Sequence, residues 1–372
     1  MRSAYRGLWG HSIVRPFVSV LIDTHNHEHF IEQAILSVLE QDFPPSEREI
    51  LVVDDGSTDN TGAIARKFEP QVRYLRKTNG GQASAFNVSI PETRGEVVAF
   101  LDGDDWWAKS KLRTVLEVLE KNPQIGAVGH GYYEAHADGR PPVCIVPEKS
   151  FHLHFGDASA ARLFGYLRGF LGTSKVTMRK AVLDRILPVP EELVIEADEF
   201  LFTLAVAIGG AIVLDQPLFH YRFHPGNLFQ FQAQNTSKLR RKYNVLAGLL
   251  RTLPPRLESL GVSREVVKAV LEPIWADAER IRLGLDGGSS LETFQVERAA
   301  YRLAYKDVSI RYRLFKGLVL GMTLLLPPRR FYRLRQWYAD KGLRRLRRIA
   351  GEPTPAAPVV EQQVEMNRAM TK

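Results

Sequence analysis

The chain has 372 residues, 45% hydrophobic and 25% charged, with a formal net charge of +8. That is the composition of an ordinary globular protein with ample core. The single cysteine, Cys144, excludes an intrachain disulfide and a cysteine-based zinc site and fits a reducing compartment.

The length allows one large domain with appendages, or two domains. Residues 1–15 read as an N-terminal extension without the apolar stretch of a signal peptide. Residues 16–234 read as the main domain. Phe17–Ile22 is predicted as the first strand. Phe30, Ile31, Ala34, Ile35, Val38 and Leu39 then recur at helical spacing, with Asn26 as the expected N-cap. Pro44-Pro45 stops that helix. Glu49–Asp55 is a second buried strand, and Gly56-Ser57-Thr58-Asp59 turns into a helix carrying Ile64, Ala65 and Phe68. Val72–Leu75 is a short third strand, and Gly80-Gly81 precedes a helix through Ala85, Phe86 and Ile90. Val97–Leu101 is a continuous apolar run, as in a strand covered on both faces. A helix with Leu112, Val115, Leu116 and Leu119 ends at Asn122-Pro123. This alternation implies right-handed βαβ units and a parallel sheet with helices on both faces.

From Ile125 the rhythm changes. Ile125–Ala135, the Asp138-Gly139 turn and Val143–Val146 read as a hairpin or an antiparallel edge. Ala158–Leu167 reads as a helix, Thr173–Met178 as a strand, and Asp198–Ile208 as a helix closed by Gly209-Gly210. Ala211–Leu214 and Leu218–Phe223 read as two short strands. Residues 235–310 read as helical, through Lys238–Leu253, Arg264–Leu285 and Leu291–Tyr305. Residues 351–372 contain TPAAP without periodicity and read as a disordered tail.

The strand Val97–Leu101 runs straight into Asp102, Asp104 and Asp105. Ionised carboxylates that close raise one another's pKa and call for solvent, hydrogen-bond donors or a cation. Ligands sit at the carboxyl ends of strands in open α/β sheets, so Mg²⁺ or Mn²⁺ shared with a diphosphate fits. The alternative is an acidic turn capping the helix that begins near Lys109.

Four motifs follow in one order: VSVLIDTHN at 18–26, VVDDGSTD at 52–59, FLDGDDWW at 100–107 and IEADEFL at 195–201. In that order, over about Phe17 to Phe229, the chain resembles the family 2 glycosyltransferases. The resemblance implies an α/β fold of GT-A type: a Rossmann-like mixed sheet with a mainly parallel nucleotide-binding half, here followed by a helical C-terminal region. It implies an inverting, metal-dependent enzyme using a nucleoside-diphosphate sugar, a UDP- or GDP-sugar, and a glycan or glycolipid acceptor.

The resemblance also implies roles. Asp55 contacts the nucleotide base or ribose, unless it caps the next helix. Asp54 is structural or touches the sugar. Asp102 and Asp104, with Asp105 adjacent, hold Mn²⁺ or Mg²⁺ across the two phosphates, the choice between Asp104 and Asp105 staying open. Asn79 and Gly80 meet phosphate or sugar, or merely allow a turn. Asp198 is the general base; the family's preceding Glu is replaced by Ala197, so Glu196 and Glu199 stay open as alternatives. Arg222 and His224, in a segment resembling the family's YR-x-H, face the diphosphate, with a structural histidine as the alternative. The first motif departs from the family: Asp23 and His25 replace a proline and an aromatic and are assigned to the donor nucleotide, His25 by stacking on the base. The His25/His27/His29 alternation is not expected to bind zinc, because residues i and i+2 diverge on a helix.

The positive charge has one location. Residues 311–350 hold twelve Lys and Arg against one acid, so this segment carries +11 and the rest of the chain −3. Leu314–Leu326 is apolar but too short to span a bilayer, and basic residues interleaved with aromatics follow Pro327-Pro328. This reads as an amphipathic segment on an anionic membrane surface, placing the protein on the cytoplasmic face of the cell membrane. The alternative is a packed helix with a solvated face. No nucleic-acid motif accompanies the charge, so no nucleic-acid partner is expected. No Q-x-x-R-W sequence occurs, which favours single additions in surface polysaccharide, glycolipid or lipid-linked glycan assembly. The rival readings are a non-catalytic sugar-nucleotide-binding protein and a nucleotidyltransferase on a related sheet.

Overall fold

The computed structural model describes residues 5–6, 12–13, 17–136, 140–224, 227, 236–304 and 310–340. The short strands β1 (Tyr5–Arg6) and β2 (Ser12–Ile13) pair antiparallel. The main sheet starts with β3 (Val18–Thr24), β4 (Arg48–Asp54), β5 (Arg73–Arg76) and β6 (Val97–Asp102), all parallel in the order β6-β3-β4-β5. The crossovers carry α1 (Ile31–Leu39), α2 (Thr61–Arg66) and α3 (Gln82–Glu92). The apolar runs in β3, β4 and β6 are buried, as strands with helices on both faces must be. Ile31, Ala34, Ile35 and Val38 supply the buried face of α1.

Because the first strand of this half is central, the chain leaves it to one side for β4 and later returns to the other for β6. That creates a switch point, with its crevice at the carboxyl ends of β3 and β6. The register there sets Asp23 opposite Asp102 and Thr24 opposite Asp54.

Next come β7 (Trp106–Trp107), α4 (Lys111–Lys121), β8 (Ala127–His136), β9 (Val143–Ile145), β10 (Phe151–Leu153) and α5 (Ala158–Leu167). They are followed by β11 (Thr177–Arg179), α6 (Lys180–Ile186), α7 (Ala197–Gly209) and β12 (Ala211–Phe223). Strand β11 lies antiparallel between β6 and β8; β12 runs parallel to β8, and β7, β9 and β10 add antiparallel pairs. The sheet is therefore mixed, with a parallel half and an added second half.

Local readings need correction. Thr173–Val176 is a turn, because Ser174 takes a left-handed φ of 65° that no strand accommodates. The two strands expected within 211–223 are one strand, irregular between Leu214 and His220. Pro217 there has no N–H to give the ladder. Asn26 does not cap α1; it also has a positive φ, and its side-chain oxygen accepts from Thr58 N at 2.8 Å. The Asp138-Gly139 turn and the 351–372 tail lie outside the described residues.

The chain divides into two compact units, Met1–Asn227 with Thr252–Val266, and Leu228–Arg251 with Val267–Lys372. Its last helices are α8 (Thr236–Ser259), α9 (Arg264–Asp286), α10 (Ser290–Ala304), α11 (Ile310–Leu325) and α12 (Pro328–Asp340). In the second unit Ala276, Leu283 and Val296 form a small core against Tyr332. Glu297 takes Arg280 at 2.9 Å and Arg335 at 2.5 Å, and Arg329 donates to the Asp286 carbonyl at 3.0 Å. Among the described residues no helix is long and apolar enough to cross a membrane.

Candidate functional site

On the donor side, the second motif spends both carboxylates on the protein. Asp54 accepts from Ser57 N at 2.6 Å and from the Tyr74 hydroxyl at 2.5 Å. Asp55 is 4% exposed and accepts from Lys77 Nζ at 2.6 Å, Gly80 N at 3.0 Å and Gly81 N at 2.8 Å. Asp55 is thus the anchor of the loop 77–81, and a nucleotide would have to compete with three protein donors. The same bonds occupy the Gly80 amide expected to meet phosphate. What faces outward is the rim of this loop. His25 and Asn79 are exposed, and both bond the Asp55 carbonyl, at 2.9 and 3.0 Å. A carbonyl only accepts, so His25 carries its proton on Nδ1.

Gly81 requires its glycine. Its φ is +82°, and a Cβ there would lie 2.6 Å from the Val194 carbonyl oxygen. Gly81→Ala is expected to cost about 1–3 kcal/mol of stability, read by denaturant unfolding. An unchanged midpoint would show that the loop relaxes freely.

The Asp23 carbonyl accepts from Gly103 N at 2.8 Å, and its carboxyl has no hydrogen-bond partner among the described residues. Burial first, then the charges of Asp102 and Asp55, push its pKa well above the ordinary carboxylate value. It is a half-buried carboxyl at the switch point.

The acidic turn after β6 separates its three carboxylates. Asp102 Oδ2 accepts from Thr173 Oγ1 at 2.8 Å, and burial and the Asp104 charge raise its pKa. Asp104 Oδ2 lies 3.0 Å from His224 Nε2 and 3.9 Å from His27 Nε2. Burial opposes its charge, but the His224 hydrogen bond and the two imidazoles outweigh it and keep this carboxyl low. Asp105 is buried and accepts from Arg222 N at 2.9 Å, tying the turn to β12. Among the described residues no three His, Cys, Asp or Glu side chains converge as a complete metal cage. Of the three, Asp105 faces inward, and Asp104 is the one flanked by imidazoles.

Arg222 is also largely spent. Its Nε donates to the Asp104 carbonyl at 2.8 Å and its terminal nitrogen to Gln33 at 2.6 Å. Its guanidinium lies 4.8 Å from the Phe30 ring centre and 4.4 Å from that of Trp106. These contacts tie Arg222 to the acidic turn, and His224 contacts the Asp104 carboxylate itself.

On the opposite side, Asp198 sits in the first turn of α7, where its Oδ2 accepts from Thr173 N at 2.9 Å. Burial raises its pKa, against the nearby Lys175 ammonium. Of the alternatives, Glu199 is buried in an ion pair with Arg168, and Glu196 is buried at the N-cap of α7. Sequence reasoning missed Thr173, Ser174, Lys175, Lys111 and the approach of His27 to Asp104. The Gly172-Thr173-Ser174 run was the available turn signal.

A doubly wound parallel half, acidic at its switch point and closed by an added half that supplies the half-buried carboxylate of Asp198, defines a GT-A domain. Residues 19–186 match the model of glycosyl transferase family 2. An uncharacterized glycosyltransferase of Nostoc is 31% identical over 230 residues, covering 60% of this chain and 70% of that protein. EpsJ of Bacillus subtilis, also an uncharacterized glycosyltransferase, is 31% identical over 227 residues, covering 57% of this chain and 63% of that protein. Among solved structures, Staphylococcus aureus TarS in complex with UDP-GlcNAc superposes with a TM-score of 0.52 at 20% identity, covering 87% of this chain and 92% of that one. The chain belongs to the family 2 glycosyltransferases.

Proposed function

We propose that the protein is an inverting, metal-dependent glycosyltransferase that adds single sugars from a UDP- or GDP-sugar to a hydroxyl of a glycan or glycolipid. The observation that carries this reading is one turn holding two carboxylates: Asp102 on the donor side and Asp198 on the acceptor side both bond to Thr173. The exposed His25 and Asn79 border the nucleotide base. Asp23 accepts from a nucleoside hydroxyl or N–H.

Asp198 takes the proton of the acceptor hydroxyl, whose oxygen attacks the anomeric carbon opposite the diphosphate. Asp104 and His224 offer an oxygen and a nitrogen side by side. The carboxylate would suit Mn²⁺ or Mg²⁺, and the imidazole would serve Mn²⁺ rather than Mg²⁺, which keeps to oxygen ligands. The ion, when bound, neutralises charge on the departing diphosphate. The test is release of nucleoside diphosphate from a panel of UDP- and GDP-sugars, followed by NMR of the product. A product that keeps the donor's anomeric configuration sinks the inverting mechanism.

The pH dependence follows from Asp198. Its base form is the active one and its pKa is raised, so kcat falls as pH drops through a value above the usual carboxylate range. Lys175 opposes that rise, so Lys175→Met should move the acid limb to higher pH. An acid limb that stays put or moves down counts against Asp198.

The membrane reading is carried by α11 and α12. Ile310, Leu314, Leu318 and Leu325 are 67–82% exposed on α11. On α12, Arg330 and Arg333 are exposed, whereas Arg329 and Arg335 bond within the helical unit. Residues 341–350 lie outside the described residues. An exposed apolar stripe beside exposed arginines fits the interface of an anionic leaflet, on the cytoplasmic side of the cell membrane. Leu314→Glu with Leu318→Glu should weaken sedimentation with phosphatidylglycerol vesicles at least about tenfold. Equal sedimentation would remove this face from the proposal.

A further inference from the structure

The turn Gly172–Lys175 is held from beneath by a lysine that no role in transfer requires. Lys111 is fully buried, and its ammonium donates to the Ser174 carbonyl at 2.6 Å over the Trp107 ring at 3.9 Å. Burying an ammonium is costly unless its protons are placed. Here the placed proton stabilises the residue with the left-handed φ of 65°. Ser174 Oγ in turn accepts from Asp102 N at 2.9 Å. Lys175 N and Val176 N both bond the Gly172 carbonyl, closing the turn at 3.1 and 3.0 Å.

Thr173 stands at the top of this turn. Its hydroxyl donates to Asp102 Oδ2 at 2.8 Å, and its amide donates to Asp198 Oδ2 at 2.9 Å. The two carboxylates come from β6 and α7, 96 positions apart in the chain, yet Thr173 reaches both, its hydroxyl also lying 3.4 Å from Asp198 Oδ2, while Ser174 Oγ adds a longer contact of 3.3 Å to Asp102 Oδ2. A Cβ on Gly172 would come 3.0 Å from Asp198 Oδ2, so the turn also closes tightly on that side. We infer that Thr173 is a positioning residue for sugar transfer, fixing the donor-side Asp102 relative to the base Asp198, and that Lys111 holds its turn in register. This rests on the reading of Asp198 as the base. Thr173 acts through the two carboxylates: misplacing a reacting group by about 1 Å costs roughly 10²-fold in rate.

The test uses the full chain and whichever UDP- or GDP-sugar it turns over. Thr173→Val removes the hydroxyl at equal size and keeps the amide. It should lower kcat about 100-fold, with a smaller change in donor KM and an unchanged melting temperature. Thr173→Ser should restore kcat to within about threefold of wild type. In the Asp198→Asn background, Thr173→Val should add little, because both act through one unit. Lys111→Met should lower kcat likewise; if it unfolds, the Thr173 variants decide. A wild-type kcat for Thr173→Val, a failed serine rescue, or losses that multiply in the double variant overturn the inference. Full transfer by Asp198→Asn instead removes the base assignment, and kcat of Thr173→Val then decides the hold on Asp102 alone.

Discussion

Asp198→Asn is expected to slow sugar transfer by about 10²–10⁴-fold while leaving donor binding almost unchanged. The asparagine oxygen still accepts from Thr173 N, so the turn that also holds Asp102 keeps its bond. What is lost is the ability to take a proton. The measurements are nucleoside diphosphate release and thermal stabilisation by UDP or GDP. The neighbouring acids make the result decisive. Glu199 is paired with Arg168, so Glu199→Gln should lower the melting temperature by breaking a buried pair, with a smaller effect on chemistry. Glu196 sits at the N-cap with a left-handed φ of 55°. If Asp198→Asn transfers at the wild-type rate, the base must be sought at those two positions, or the single-displacement mechanism abandoned.

The parallel half of the sheet was legible because burial on both faces leaves a simple trace. A strand such as VVAFL has no polar alternation to confuse it, and the helices between such strands repeat at a regular spacing. The clustering of motifs at strand ends was legible for the same reason: the strand limits fix which residues reach the crevice. Which way a carboxylate faces was not. Asp54 and Asp55 stand at the end of β4, yet local backbone amides, a tyrosine and a lysine claim both. Thr173 and Val176 are strand-forming residues, yet the turn is held by bonds that spacing does not show, among them the buried ammonium of Lys111, 63 positions before Ser174. The contact of Arg222 with both Phe30 and Trp106 joins three distant segments, and no spacing rule encodes it.

The remaining large effect concerns Asp104. It is the carboxylate of the acidic turn that has imidazoles beside it and a pKa below the ordinary range, so it stays charged where a cation would be needed. Asp104→Ala is expected to lower transfer by about 10²–10³-fold or more, and to abolish any dependence of donor binding on Mn²⁺ or Mg²⁺. Chelation of the wild-type protein should have the same effect, reversed by adding the ion back. Asp105→Asn should behave differently. Asp105 is buried against Arg222 N, and burial together with Asp104 and Asp102 pushes its pKa well up. A neutral amide still accepts that bond, so metal-dependent donor binding should survive in Asp105→Asn. The contrast separates two residues that sequence alone leaves equivalent. Metal dependence lost with Asp105 and kept with Asp104 would reverse the assignment, and transfer indifferent to chelation would remove the ion from the mechanism, leaving diphosphate departure to His224 and the surrounding donors.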